Sequence, residues 1–231
     1  DAILHSNLGG ILKDLGNLKE AEASTRKAIA LNPDYADAYL NLGTIFKDLG
    51  NLKEAEVSTR KAIELKHDYA EAYFNLGTIF KDLGNLKEAE VSTRKAIELK
   101  HDYAEAYFNL SIIELLHGDY ESGLEHYEFR EKRKKGLSIQ VKPNIPKADN
   151  RKLERGEKLL IVSEQGLGDT LQFMRYINYL RNQGFKISFC APTKLHSVIQ
   201  SSGIDKNPLK PELVSEVSEG KWIPLLSLPR Y

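Results

Sequence analysis

The sequence predicts a mainly α-helical protein, in which a solenoid of helix–turn–helix repeats is followed by part of an α/β unit. The first observation is a repeat: residues 41–74 recur unchanged at residues 75–108, a period of 34 residues. A period of this length is typical of arrays built from pairs of helices. The second observation is a change of pattern at Lys158, after which short apolar runs alternate with helical segments. That alternation is typical of parallel strands connected by helices.

Composition narrows the class of protein. The 231 residues include 33 basic and 33 acidic side chains, so the formal net charge is zero, which disfavours a strongly basic nucleic-acid binder and an acidic disordered tail. The longest apolar runs, such as Leu159–Val162, are far shorter than the ~18 residues of a membrane span. A single cysteine, Cys190, excludes an internal disulfide and a Cys-based zinc site, and we expect a cytoplasmic protein. Since the sequence begins at Asp1, we also expect a fragment of a longer chain.

Each repeat contains two predicted helices. Apolar side chains follow the helical period over residues 36–49, Gly50-Asn51 interrupts it, and residues 52–65 resume it. Neither helix can bury its apolar face alone, so successive repeats must stack side by side. We therefore predict an array over residues 1–135, with repeats at residues 2–35, 36–69, 70–103 and, in degenerate form, 104–135.

These repeats resemble the tetratricopeptide repeat (TPR) family. The residues that carry the resemblance are Tyr39, Leu42-Gly43, Phe46, Gly50, Ala55 and Ala62. The resemblance implies a superhelical solenoid whose concave surface is lined by the first helix of each repeat and binds a protein or peptide.

The sequence departs from the family pattern at a few positions. Threonine replaces the usual aromatic residue of the second helix, and in the fourth repeat Ser111 replaces the glycine and Gly123 an alanine. His67 and His101 replace the proline that the first repeat keeps. Because adjacent repeats are about two helix diameters apart, these histidines cannot share a metal ion, and we expect no metal site.

One asparagine recurs in the first helix of every repeat: Asn7, Asn41, Asn75 and Asn109. An amide both donates and accepts hydrogen bonds, which suits the backbone of an extended peptide. A similar ladder lines the groove of the O-linked N-acetylglucosamine transferases, and this array resembles theirs. Lys47 and Lys81, each followed by an aspartate, add mixed charge to the predicted groove. The alternative is that the amides cap or bridge adjacent helices.

A basic stretch follows the array. Residues 128–158 contain eleven basic and five acidic side chains, a net charge of +6. Prolines and few apolar residues predict an extended linker at residues 136–157. The linker is either simply solvated or attracts an anion such as phosphate or lipid; without interleaved aromatic residues, nucleic acid is disfavoured.

From Lys158 onward the sequence predicts a Rossmann-like parallel sheet. Strands are expected at residues 159–162, 185–190 and 222–226, with helices at residues 169–182 and 192–202. Gly166 and Gly168 occupy the first strand-to-helix turn, where backbone N–H groups can approach an anion. Leu171 and the absence of a Gly-Lys-Ser/Thr sequence exclude a dinucleotide fingerprint and a nucleotide P-loop.

The string from Glu164 to Phe173, followed by Arg175, resembles the heptosyltransferase-like, GT-B-type glycosyltransferase domain of bacterial TPR proteins. The resemblance implies that Asp169 is a general base, that Gly166, Gly168, Gln172 and Arg175 contact substrate, and that the intact protein uses a nucleotide-sugar donor. It also implies two Rossmann-like domains, so we expect residues 158–231, as part of one, to lack activity and cofactor. Two alternatives stay open: Asp169 caps its helix, and the whole protein is a non-catalytic scaffold.

Overall fold

We describe the protein from a computed structural model, which covers residues 1–133, 141–148, 153–164 and 166–231. Residues 134–140 and 149–152 of the predicted basic stretch, and Gln165, lie outside these described residues. The chain divides into two compact units, Asp1–Phe129 and Arg130–Tyr231. The array therefore ends before residue 135, where the sequence analysis placed its boundary.

The first unit is a stack of helix pairs, as the 34-residue period predicts. Residues 1–129, all of them described, form α1 (Ala2–Asp14), α2 (Leu18–Leu31), α3 (Ala36–Asp48), α4 (Leu52–Leu65), α5 (Ala70–Asp82), α6 (Leu86–Leu99), α7 (Ala104–His117) and α8 (Tyr120–Tyr127). Gly50, with φ of +80°, separates α3 from α4 in the left-handed conformation that glycine tolerates best. The helices predicted in each repeat are confirmed to within a residue.

The two helices of a repeat approach each other at a glycine. A Cβ atom added at Gly77 in α5 would overlap with Oγ1 of Thr93 and lie 3.1 Å from the carbonyl oxygen of Ala89, both in α6. Gly43 faces Thr59 in the same way. Because no side chain fits between the helices here, the glycine sets the distance at which they pack.

Apolar clusters then join each repeat to the next. Leu42, Phe46 and Ala55 of the second repeat are buried together with Ile79 of the third. One period later the same pattern unites Leu76, Phe80 and Ala89 with Ile113. Each core is therefore shared between neighbours, which is why a single repeat would not be stable by itself.

The fourth repeat keeps this packing with different residues. Ser111 is buried, and its hydroxyl donates a hydrogen bond of 2.7 Å to the carbonyl of Phe108. A Cβ atom at Gly123 would lie 2.8 Å from Cγ of Leu115, so the glycine makes room for that leucine. The fourth repeat thus lacks the glycine of the first helix, at Ser111, but gains one in the second helix, at Gly123.

The fourth repeat also exchanges an aromatic ring for a carboxylate. Arg60 lies over the ring of Phe80 at 5.4 Å, but the equivalent arginine, Arg94, meets Glu114 and forms an ion pair of 2.9 Å. Glu114 is buried, and His126 of α8 contacts its second oxygen at 2.7 Å. This polar cluster replaces a cation–π contact at the end of the array.

The second unit is built on a small parallel sheet. Its described strands are β1 (Lys158–Val162), β2 (Lys186–Cys190) and β3 (Lys221–Pro224), in the order β2-β1-β3. The described helices are α9 (Leu167–Phe173), α10 (Arg175–Asn182) and α11 (His196–Ser201). The predicted alternation of parallel strands and helices is confirmed, although the helix expected at 169–182 is divided at Met174.

Part of the predicted linker belongs to the sheet. The N–H of Trp222 in β3 donates to the carbonyl of Pro146, and the N–H of Ala148 donates to the carbonyl of Trp222 at 2.8 Å. Ile145 is buried in the cluster that contains Leu160 of β1. Residues 141–148 are therefore packed against the sheet, because their apolar side chains find a hydrophobic surface there.

The close approach at Gly77 leads to a test. We expect Gly77→Ala to lower the free energy of unfolding by about 1–3 kcal/mol, because the methyl group forces the two helices apart. Gly10 in α1 is a matched control, since nothing lies within 4 Å of an added Cβ atom. There alanine should raise stability by about 0.5–1 kcal/mol through helix propensity. Urea unfolding followed by circular dichroism measures both, and equal effects would contradict the close approach.

Candidate functional site

The first helices of the repeats lie on the inner side of the stack. Within residues 1–129, α1 contacts α3, α3 contacts α5 and α5 contacts α7, while the second helices make no contacts of similar extent with one another. Elements on the concave side of a curved stack are closer together than those on the convex side. The first helices therefore line the concave surface, in agreement with the expectation from the family resemblance.

We call the side of these helices on the concave surface the inner face, and it includes both accessible and buried side chains. Its residues recur three or four positions apart and so share one side of each helix. They are Asp37, Leu40, Asn41, Thr44 and Lys47 in α3, Glu71, Phe74, Asn75, Thr78 and Lys81 in α5, and Glu105, Phe108 and Asn109 in α7.

Aromatic rings lie on the inner face and beside it. The ring of Phe74 lies 5.1 Å from that of Tyr103, and the ring of Phe108 lies 5.7 Å from that of Tyr127. The hydroxyl of Tyr69 donates a hydrogen bond of 2.7 Å to the carboxylate of Asp37. Burial is the main cause that raises the pKa of Tyr69 and of Tyr103 above the ordinary value. Both hydroxyls therefore remain protonated at neutral pH, and that of Tyr69 is the donor to Asp37.

Two of the four asparagines point into the stack. Asn75 is 7 % exposed and donates to Oγ1 of Thr59 in α4 at 3.1 Å. Asn109 is 6 % exposed and donates to Thr93 in α6 at 3.2 Å. The predicted ladder of four accessible amides is thus corrected here: these two bridge a first helix to the preceding repeat, which is the alternative left open by the sequence.

The other two asparagines behave differently. Asn41 is half-buried and donates to the hydroxyl of Ser6 in α1 at 2.9 Å, whereas Asn7 is exposed. Later repeats have Leu40 and Phe74 in place of Ser6, so their asparagines lack this hydroxyl partner. Because Asn41 turns to Ser6, the buried hydroxyl of Thr25 has no hydrogen-bond partner within the described residues.

The lysines of the inner face lie beside carboxylates. Lys47 forms an ion pair of 3.1 Å with Asp48, and Lys13 forms one of 3.3 Å with Asp14. Lys81 is half-buried in the equivalent position of α5. The predicted mixed charge is present at this end of the helices, where the two signs largely cancel.

The second unit presents its predicted site residues at the end of β1. Gly166 has φ of +103°, and a Cβ atom there would lie 2.5 Å from a carboxylate oxygen of Asp169, so only glycine fits. Asp169, Gly168, Gln172 and Arg175 are all exposed on or beside α9. The guanidinium of Arg175 lies over its neighbour Tyr176 at 5.3 Å. The described residues contain no group of three or more side chains that could hold a metal ion.

A buried ion pair that the sequence analysis did not foresee lies at the same end of the sheet. Arg130, 1 % exposed, donates to both carboxylate oxygens of Glu164 at 3.0 and 3.1 Å and to the hydroxyl of Ser227 at 2.9 Å. The N–H of Leu226 also donates to Glu164 at 2.9 Å. A bidentate pair with further hydrogen bonds is the arrangement that offsets the desolvation of buried charges. It fixes the segments that follow β1 and β3.

Comparisons with known proteins identify the first unit. One family model, described as TPR repeat, matches residues 9–50 and 43–84, and a second, described as tetratricopeptide repeat, matches residues 70–103. Residues 9–103 are therefore tetratricopeptide repeats. No curated protein sequence matches the chain significantly. Among the described residues, no helix is long and apolar enough to cross a membrane.

Solved structures support the same fold. MamA is 24 % identical, with 56 % of this chain and 75 % of that one aligned at a TM-score of 0.51. PilF of Pseudomonas aeruginosa is 23 % identical over 57 % of this chain and 60 % of its own, with a TM-score of 0.53. A thermophilic TPR protein of Thermus thermophilus is 21 % identical over 58 % of this chain and 74 % of its own, with a TM-score of 0.52. At these identities the likeness concerns the fold alone.

The bridging role of Asn75 can be measured. We expect Asn75→Ala to lower the free energy of unfolding by about 1–2 kcal/mol, because the Thr59 hydroxyl loses its donor in a buried place. Asn7→Ala, at the exposed equivalent in the first repeat, should stay within about 0.5 kcal/mol of the original protein. Denaturant unfolding measures the free energy of unfolding of both variants. An Asn75→Ala protein of unchanged stability would show that the hydrogen bond to Thr59 does not hold the repeats together.

Proposed function

We propose that the first unit binds an extended peptide segment of a partner protein along the inner face. The observation that carries this proposal is the apolar stripe of Leu40, Phe74 and Phe108, one residue per repeat, which lies outside the buried repeat cores and remains partly accessible. A stripe that follows the stack offers one contact per repeat to a chain laid across it.

The groups around the stripe suit a peptide. Aromatic side chains bring large contact area with little loss of conformational freedom, and they are enriched in the cores of protein interfaces. The hydroxyls of Thr44 and Thr78 donate to carbonyls of their own helices, so their oxygens are still able to accept hydrogen bonds from a peptide backbone. Recognition would therefore depend on apolar anchors with backbone contacts beside them.

A library of random twelve-residue peptides displayed on phage tests this proposal. We expect the protein to select peptides whose affinity falls at least about tenfold when Phe74 and Phe108 are both changed to Ala, because each ring acts as an anchor. The matched control changes Val57 and Val91 of the second helices, each 70 % exposed, to Ala and should leave affinity unchanged. Fluorescence anisotropy with the selected peptides measures the affinity of both double variants.

Two results would refute the proposal. One is a failure to select any peptide with a folded protein, as judged by circular dichroism. The other is equal weakening by the phenylalanine pair and the valine pair, since binding would then not occur on the inner face.

A second function is proposed for the second unit: we infer that it begins a GT-B-type glycosyltransferase domain that uses a nucleotide-sugar donor. It is supported by the strand order β2-β1-β3, in which the chain passes from β1 to β2 on one side and then crosses back to β3 on the other side of β1. In open parallel sheets, ligands bind at the carboxyl ends of strands where this reversal occurs. Gly166, Gly168 and Asp169 follow β1 at that place.

In this proposal Asp169 accepts the proton of an acceptor hydroxyl. The hydroxyl oxygen then forms a bond to the anomeric carbon of the sugar while the nucleoside diphosphate leaves, which inverts the configuration. Gln172 and Arg175 would orient the acceptor or a phosphate group. The alternative, a unit that serves only as a structural part of a scaffold, agrees equally with the buried Arg130–Glu164 pair.

An assay of sugar transfer by the full-length gene product distinguishes the glycosyltransferase from the structural scaffold. With a set of nucleotide sugars, we expect nucleoside diphosphate release that falls at least about a hundredfold in Asp169→Asn, because general base catalysis contributes about that much. Glu216→Gln, which removes another exposed carboxylate of the same unit, should retain full activity. Activity that is indifferent to Asp169→Asn would exclude the assigned base, and a lack of any activity would favour the scaffold.

A further inference from the structure

The charge of the protein is divided sharply between its two units. Residues 1–129 contain 14 basic and 23 acidic side chains, a net charge of −9, and residues 130–231 contain 19 basic and 10 acidic ones, a net charge of +9. The formal net charge of zero thus conceals a strongly acidic repeat array. An acidic surface attracts cationic partners and repels anionic ones.

Part of this negative charge lies on the inner face. Asp37, Glu71 and Glu105 are in the first turns of α3, α5 and α7. Each precedes its apolar stripe residue by three positions and therefore lies on the same side of the helix, one turn away. The stripe is accordingly bordered by one carboxylate per repeat, at the end of the helices opposite to the Lys–Asp pairs.

The chain itself shows what these carboxylates and rings can bind. The ammonium of Lys100 lies 4.8 Å from the ring centre of Tyr103 and 3.6 Å from a carboxylate oxygen of Glu71. The ammonium of Lys66 lies 4.2 Å from the ring centre of Tyr69, whose hydroxyl is bonded to Asp37. A cation between a ring and a carboxylate is favoured by both. Groups of the same two kinds lie one turn apart on the inner face, where Glu71 precedes the ring of Phe74 and Glu105 that of Phe108, and these would receive cationic side chains of a ligand.

From these contacts we infer that the segment bound on the inner face is basic, with lysine or arginine side chains beside its apolar anchors. This inference rests on the proposed peptide binding and specifies the chemistry of the partner. Cationic side chains reach the row of Asp37, Glu71 and Glu105, while the apolar side chains between them contact the stripe. An acidic segment is repelled by the same row.

Three fluorescein-labelled peptides of twelve residues test the inference. Each has leucine at every third position, and the remaining positions are lysine, glutamate or glutamine. Extended, such a peptide spans about 40 Å, or about two repeats. We expect the lysine peptide to bind at least about tenfold more tightly than the glutamine peptide, with no binding of the glutamate peptide. Its affinity should fall between about 50 and about 300 mM salt, because the attraction is screened.

Two triple variants locate the interaction. The first combines Asp37→Asn, Glu71→Gln and Glu105→Gln. We expect it to lower the affinity for the lysine peptide at least about tenfold. The matched control removes three carboxylates from the first turns of the second helices: Glu20→Gln, Glu54→Gln and Glu88→Gln. Net charge and helix-terminal position change equally in the two variants, so a difference between them reports the inner face alone. The control variant should lower the affinity for the lysine peptide by less than about threefold.

Each contrary result has a distinct meaning. Equal binding of the three peptides, abolished by the Phe74 and Phe108 changes, overturns the basic specificity and leaves peptide binding intact. Failure of these peptides and of the phage library overturns both proposals. If the two triple variants lower the affinity for the lysine peptide equally, the attraction comes from the overall charge of the array, and the inner face is not the binding site. A salt-sensitive dimer in sedimentation that displaces the lysine peptide identifies a second copy of the chain as the occupant and also overturns the inference.

Discussion

The close approach of two helices at one glycine per repeat is the constraint on which the array depends. At Gly43 and Gly77 there is no room for a side chain, because a threonine of the second helix occupies the space. At this contact a threonine stands where TPR sequences usually have an aromatic residue, and its hydroxyl fills the space beside the glycine. The distance between the two helices of a repeat is thus set by a glycine, which has no side chain, and by the small threonine that faces it.

The same threonine links one repeat to the next. Thr59 accepts a hydrogen bond from Asn75, and Thr93 accepts one from Asn109. An asparagine that recurs every 34 residues therefore serves chiefly to hold adjacent repeats in register in the later part of the array. The groups accessible on the inner face include apolar, aromatic and carboxylate side chains, and these three kinds of group shape both proposals for the first unit.

The second unit depends on another kind of constraint. Arg130 and Glu164 are buried together where the segments after β1 and β3 meet, and Ser227 and Leu226 complete their hydrogen bonds. The pair holds these segments in place beside the exposed start of α9, which contains Asp169. Glu164, in the segment that follows β1, is thus bonded to groups that are distant in sequence, Arg130 and Leu226.

The helices of the array and the parallel strands were predictable from the sequence alone, because local periodicity reports which face of an element is buried. The 34-residue period also determined that first helices would share a side of the stack. Only the tertiary structure decided that Asn75 turns inward, that Ile145 packs on the sheet and that Arg130 meets Glu164. Those outcomes depend on partners far along the chain and on the space left after packing, and a periodic pattern carries no information about either.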